Sequence, residues 1–138
     1  MSSTMSSTHP SPFLRFALWA DAAASAASGL LMALGAGQLE RLLGVPAALL
    51  QPAGLILMPY AALVAWLASR DSLPAAAVWA VIACNLLWAA DCALLLMGGW
   101  IAPTALGYAF VIAQALTVAV FAELQYVGLR RSASAVAA

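Results

Sequence analysis

Charge is what this sequence has least of. Only 7% of its 138 residues are charged, lysine is absent, and five arginines balance five acids to a formal net charge of zero. A soluble domain carries about 25% charged residues because its surface must be hydrated. This chain, 66% hydrophobic with a mean hydropathy of +1.02, would expose large apolar areas in water and aggregate. A neutral chain gives no case for nucleic-acid binding, which needs a basic face against the phosphates. Histidine is nearly missing too, since the single one, His9, lies in a polar N-terminal stretch. Bis-His haem ligation, His-rich metal sites and Ser-His-Asp catalysis therefore cannot be assembled from one chain. No Cys-x-x-Cys motif and no Gly-x-x-x-x-Gly-Lys-Ser/Thr loop occurs. Conventional enzyme chemistry has little to work with, and no cofactor or metal is expected.

What the chain does have is long apolar runs. A bilayer core of about 30 Å needs about 20 apolar helical residues, and four stretches qualify: 13–34, 49–68, 73–97 and 104–125. Helix is the state that pairs their backbone within lipid. The punctuation agrees with this division. Gly35 and Gly37 end the first helix, Arg70-Asp71-Ser72 with Pro74 makes the second junction, and Gly98-Gly99 with Pro103 makes the third. Between the first two helices, residues 38–44 set leucines beside Glu40 and Arg41, the composition of a short interfacial turn. The fold class expected is all-α, a membrane-spanning antiparallel four-helix bundle in up-down-up-down order.

Arg15, Arg70, Arg130 and Arg131 then fall on one side and Arg41 on the other. The positive-inside rule puts both termini in the cytoplasm of a multi-pass inner-membrane protein. Trp66, Trp79 and Tyr126 on the inner side, with Trp100 and Tyr108 on the outer, fit aromatic anchoring at the two interfaces. Residues 1–12 are polar and expected to be disordered, and residues 132–138 are expected to form a loose tail. The N-terminal stretch lacks a basic segment and its apolar run is broken by Asp21, so a cleaved signal peptide is not expected.

Against this apolar background a few polar residues stand out. An ionised acid at membrane depth costs on the order of 2.5–3.5 kcal/mol, so Asp21 should face a protein interior, a partner or water. Asp21 lies about 12 Å in from Phe13, Asn85 about 18 Å in from Leu73, and Gln114 about 15 Å in from Thr104. Tyr60 and Thr117 fall at similar levels. These five, Asp21, Tyr60, Asn85, Gln114 and Thr117, are the candidates for ligand binding or proton coupling. Asp21, Ser25, Gly29 and Ala33 recur every four residues, a small-residue stripe that lets helices approach closely. Two readings of Asp21 stand side by side: the buried glue of a packed bundle, or a proton-coupled or ligand-binding acid.

Trp88 and Asp91 share a helix face and could line an outer vestibule, although Asp91 could equally be an acid reached from the headgroup region. Glu123 is expected to pair with Arg15, Arg70 or Arg130. Pro59 removes a helical hydrogen bond beside Tyr60 and predicts a kink there. Cys84 and Cys92, eight residues apart on one helix, would lie about 12 Å apart, beyond the reach of a disulfide. A shift of 64 positions lays Asp21 on Asn85 and Gly35 on Gly99, as an internal duplication with parallel halves would.

The segments Leu18-Trp19-Ala20-Asp21-Ala22, Pro59-Tyr60-Ala61-Ala62-Leu63-Val64 and Ala105-Leu106-Gly107-Tyr108-Ala109-Phe110 resemble small, Ala/Leu-rich, four-helix integral membrane proteins of high-GC bacteria. That resemblance covers the membrane part and implies no activity. The chain is also similar in length and helix number to the small multidrug-resistance transporters, where Asp21 would take the role of an essential acid on the first helix. Those proteins carry Glu there within a surrounding motif that this chain lacks. Two functions follow as expectations. One is a bundle that binds or transports a small apolar or cationic molecule through a polar cluster around Asp21. The other is a non-catalytic accessory or scaffold subunit of a membrane complex. The expected partners are the lipid bilayer and either a second copy of the chain or another membrane protein.

Overall fold

The computed structural model describes residues 7–137. Five helices follow one another: α1 (Pro12–Leu34), α2 (Ala36–Leu43), α3 (Ala47–Ala68), α4 (Ala75–Met97) and α5 (Ala105–Ala137). Four of them are long and apolar enough to cross a membrane, which makes this the helical bundle of a multi-pass membrane protein. Its outer faces carry large apolar side chains such as Leu34, Ile56, Leu63, Leu87 and Leu116, while Asp21, Ser25, Asn85 and Gln125 are buried. Apolar outside and polar inside is the arrangement that lipid requires and water would penalise.

Each helix begins and ends for a local reason. Ser11 Oγ accepts the Leu14 amide at 3.1 Å and Pro12 occupies the first turn of α1. Gly35 separates α1 from α2, and α2 stops at Gly44, whose φ of 71° is the left-handed conformation glycine adopts freely. A side chain at Gly44 would also collide with the Ala102 carbonyl oxygen at 2.7 Å, since the turn before α5 lies on it. Thr104 fastens that turn. Its hydroxyl donates to the Leu42 carbonyl at 2.8 Å and accepts the Gly107 amide at 3.0 Å, and its own amide donates to the Leu43 carbonyl at 2.9 Å.

α1 packs on α3 and α4 on α5, with α5 also lying along α1; α3 and α4 scarcely touch. Contacts of Arg15 with Ala68, Asp21 with Tyr60 and Gly29 with Gly54 run in opposite order along α1 and α3, so these helices are antiparallel. Asn85 with Gln125 and Trp88 with Gln114 give the same relation for α4 and α5. Where α1 crosses α3, a Cβ on Gly54 would sit 2.5 Å from the Ala33 nitrogen and 2.7 Å from the Gly29 carbonyl oxygen. Glycine on both helices permits this backbone contact, as the stripe on α1 predicts. α3 runs on through both Pro52 and Pro59 as one helix.

The interior is two apolar layers with a polar layer between them. One layer gathers Leu14, Leu18, Val64, Leu67, Val78 and Ile82, the other Met32, Leu39, Leu43, Leu50, Leu57 and Val111, and Tyr60 packs against both.

The structure differs from the sequence-based expectation at the ends. Helical structure continues past Gln125 to Ala137 instead of giving way to a loose tail, and only Ala138 lies outside the described residues at that end. Ser132 explains part of this, because its hydroxyl accepts the Ser11 amide at 2.8 Å and donates to Gly128, tying α5 to the start of α1. Of the polar segment 1–12, residues 1–6 lie outside the described residues, while Ser7–Thr8 pair antiparallel with Leu73–Pro74 and Ser11–Pro12 start α1. That two-residue ladder takes Leu73 and Pro74 out of the third expected span, which starts at Ala75. The segment expected as an interfacial turn is the two-turn helix α2.

Candidate functional site

Asp21 has no solvent exposure and sits where all four long helices meet. Its Oδ2 accepts hydrogen bonds from Gln125 Nε2 of α5 at 2.7 Å, Asn85 Nδ2 of α4 at 2.8 Å and the Tyr60 hydroxyl of α3 at 2.9 Å. Its Oδ1 accepts one, from the Ser25 hydroxyl one turn along α1, at 3.0 Å. Asn85 Nδ2 also donates to Gln125 Oε1 at 3.0 Å, which fixes the two amides against each other. The carboxyl group thus accepts four hydrogen bonds, all from neutral donors. Among the described residues, every buried side-chain nitrogen and oxygen has a partner.

Three of the five residues expected around mid-depth, Asp21, Tyr60 and Asn85, are brought together in this way. Gln114 and Thr117 are not. Gln114 Oε1 accepts Trp88 Nε1 of α4 at 3.0 Å, and its amide points to Met32 Sδ at 3.5 Å, well along the bundle from Asp21. Thr117 donates back to the Ala113 carbonyl of its own helix at 2.7 Å, satisfying its hydroxyl without a neighbour. Gln125 takes their place, a residue the sequence reading used only to mark the end of the last span. Counting from the arginines would have found it. Gln125 precedes Arg130 by five residues and Asp21 follows Arg15 by six, so the two lie at one level of antiparallel helices. The residues an internal repeat would superpose, Asp21 and Asn85, face each other across the bundle.

Glu123 is exposed, and the arginines expected to pair with it are engaged elsewhere. Arg15 Nη1 donates to the Ala68 carbonyl at 2.6 Å, Arg70 lies over the Trp66 ring at 5.1 Å, and Arg130 contacts the Tyr126 hydroxyl at 3.4 Å. Cys84 and Cys92 are both free thiols. Among the described residues, no three His, Cys, Asp or Glu side chains gather as a metal site would need.

Because α3 and α4 scarcely touch, a cleft opens between them. It holds two cavities, of about 280 and about 240 Å³, that share Trp88 and Asp91. The larger is walled by Ser25, Tyr60 and Asn85 of the Asp21 cluster; the smaller runs from Gln114 toward Leu49 and Leu50. A third, of about 240 Å³, lies between α1 and α5 and reaches Trp88 from behind, with Thr117 on its wall. Trp88 therefore lines all three of these cavities, held in place by its bond to Gln114. The vestibule residues Trp88 and Asp91 border this cleft, with Asp91 exposed.

No family model, curated protein or solved structure matches this chain.

Proposed function

We propose that this is a bacterial inner-membrane protein, spanning the bilayer four times with both termini cytoplasmic, that binds a small apolar or cationic molecule in the cleft between α3 and α4. The observation that carries the reading is the shape of the interior. A cleft with an aromatic floor at Trp88 and a polar end formed by Ser25, Tyr60 and Asn85 opens between two helices that neighbouring helices do not seal. Ligand pockets commonly combine an apolar lining with a few convergent polar groups. In this reading Asp21 sets the geometry of the polar end and does not itself touch the ligand, because all four helices enclose it.

The topology rests on the arginines. Arg15 meets the end of α3 just before Arg70, and Arg131 stacks on Phe13 at 4.5 Å, so four of the five gather at one end of the bundle.

The test is equilibrium binding by the purified full-length protein in lipid nanodiscs, probed with benzyltrimethylammonium and its neutral isostere neopentylbenzene. The reading expects saturable binding of at least one probe above empty nanodiscs, lost when the cleft is filled by Cys84→Trp. No saturable binding of either would refute it.

A second reading, a non-catalytic subunit of a membrane complex, is favoured by the complete pairing of the buried polar side chains, which is what structural glue requires. It expects Asp21→Leu to alter stability or co-purifying partners and to leave no binding activity to lose.

A further inference from the structure

Among the described residues, Asp91 is the only charged side chain on the walls of the two cavities in the α3–α4 cleft. It lies six residues before the end of α4, about 9 Å inside the helix terminus. No arginine or lysine occurs anywhere in α3 or α4, nor in α5 before Arg130. The one basic residue near that end of the bundle, Arg41, is exposed on α2 and lines neither cavity. The buried acid, Asp21, takes its hydrogen bonds from neutral groups alone, so it brings no positive charge near either cavity. An acid at this depth normally faces a cation, water or a protein partner, and the cleft supplies it with aromatic, aliphatic and neutral polar walls but no positive charge.

We propose that the cleft binds a monovalent organic cation, an ammonium group carrying an apolar body, with its charge at Asp91 and its body against Trp88. This rests on the reading that the α3–α4 cleft is a ligand site, and it names the ligand's chemical class. Three features select that class. A carboxylate one helical turn from the Trp88 ring offers an ammonium both a counter-charge and a π face, an attraction that strengthens as water is excluded. Leu57, Leu87 and Leu95 on the surrounding walls give an attached hydrocarbon body its contacts. The volumes, about 240 and about 280 Å³, suit a single ring with a small ammonium head and not a large drug. The opening between α3 and α4 faces the apolar exterior of the bundle, so such a molecule would enter sideways from the membrane. Trp88 is the specificity-determining surface, and its bond to Gln114 keeps the ring presented to the cleft.

The same pair of probes tests this, because neopentylbenzene has the shape of benzyltrimethylammonium without its charge. In phosphatidylglycerol nanodiscs the wild-type protein should bind the cation at least tenfold more tightly than the isostere. Asp91→Asn should remove that preference while leaving isostere binding unchanged, which also shows that the variant is folded, and Asp91→Glu should retain it. Equal affinity for the two probes, or a cation preference that survives Asp91→Asn, would overturn the cation site and leave the cleft as an apolar site. Absence of saturable binding by either probe would overturn the cleft reading itself, and the cation site with it. Ammonium groups also occur on lipid headgroups, so phosphatidylethanolamine is added in a separate arm. Competition by that lipid identifies a headgroup as the occupant, and its absence identifies a free solute; both support the cation site.

Discussion

Replacing Asp21 by leucine removes the one acceptor that all four long helices share. The substitution keeps an apolar side chain of similar size but leaves the Tyr60 hydroxyl, one amide hydrogen of Gln125 and one of Asn85 with nothing to donate to. Interhelical hydrogen bonds in membranes average about 0.6 kcal/mol and reach about 1.7, because the unfolded chain in lipid also finds partners. Three interhelical bonds amount to about 1.8 kcal/mol at the average and about 5 kcal/mol at the upper value, so a loss of about 2–4 kcal/mol is expected. Asp21→Asn should behave differently. Its Oδ1 can take the three donors now on Oδ2, and its Nδ2 can donate to the Ser25 oxygen. All three interhelical donors then keep an acceptor, and none is left unsatisfied in the interior. The asparagine variant should therefore stay within about 1 kcal/mol of wild type. Reversible unfolding by sodium dodecyl sulfate in mixed micelles, followed by circular dichroism, measures both. A leucine variant as stable as wild type would refute the shared-acceptor account. An asparagine variant as damaged as the leucine one would show that charge, not hydrogen bonding, holds the helices.

Two further outcomes follow from the geometry. Gly54→Ala should cost about 1–3 kcal/mol in the same assay, since its Cβ would meet backbone atoms of α1 at 2.5 and 2.7 Å, whereas Gly37→Ala, with open space around it, should be neutral or slightly stabilising. Thr104→Ala should lower stability by about 1 kcal/mol through the lost cap of α5, and Thr104→Ser should restore it; an alanine variant with wild-type hydrogen exchange at Gly107 would contradict the capping role.

The four long helices were legible because lipid imposes a coarse rule, a long apolar run between breakers, and Gly35, Pro74 and Gly98-Gly99 supply the breaks. Asp21, Tyr60 and Asn85 were legible as a group because a polar side chain at membrane depth must find a partner. Depth counted from the predicted helix ends misplaced the α5 residues for a geometrical reason. α5 has 33 residues against 23 in α1, so its ends are not level with its neighbours' ends. Gln114 and Gln125, eleven residues apart, lie on nearly the same face of the helix at about 1.5 Å per residue, so the face was right and the level was wrong. Gln114 consequently lies opposite Met32, three turns from Asp21. The extension of α5 to Ala137 was hidden because Ser132 looks like a tail residue in sequence, and its bond to the Ser11 amide spans the whole chain. The cleft between α3 and α4 was not legible at all. Both helices read as uniformly apolar, and nothing in their sequences says that they stay apart.

The most direct test of the central claim, that Asp21 joins the helices through Gln125 as well as through the residues foreseen, is a double-mutant cycle. Asp21→Leu, Gln125→Leu and the double variant are each unfolded reversibly, and the coupling between the two positions is extracted. The structure predicts a coupling of about 1 kcal/mol or more, since the 2.7 Å bond exists only when both side chains are present. Additive effects, agreeing within about 0.3–0.5 kcal/mol, would contradict it.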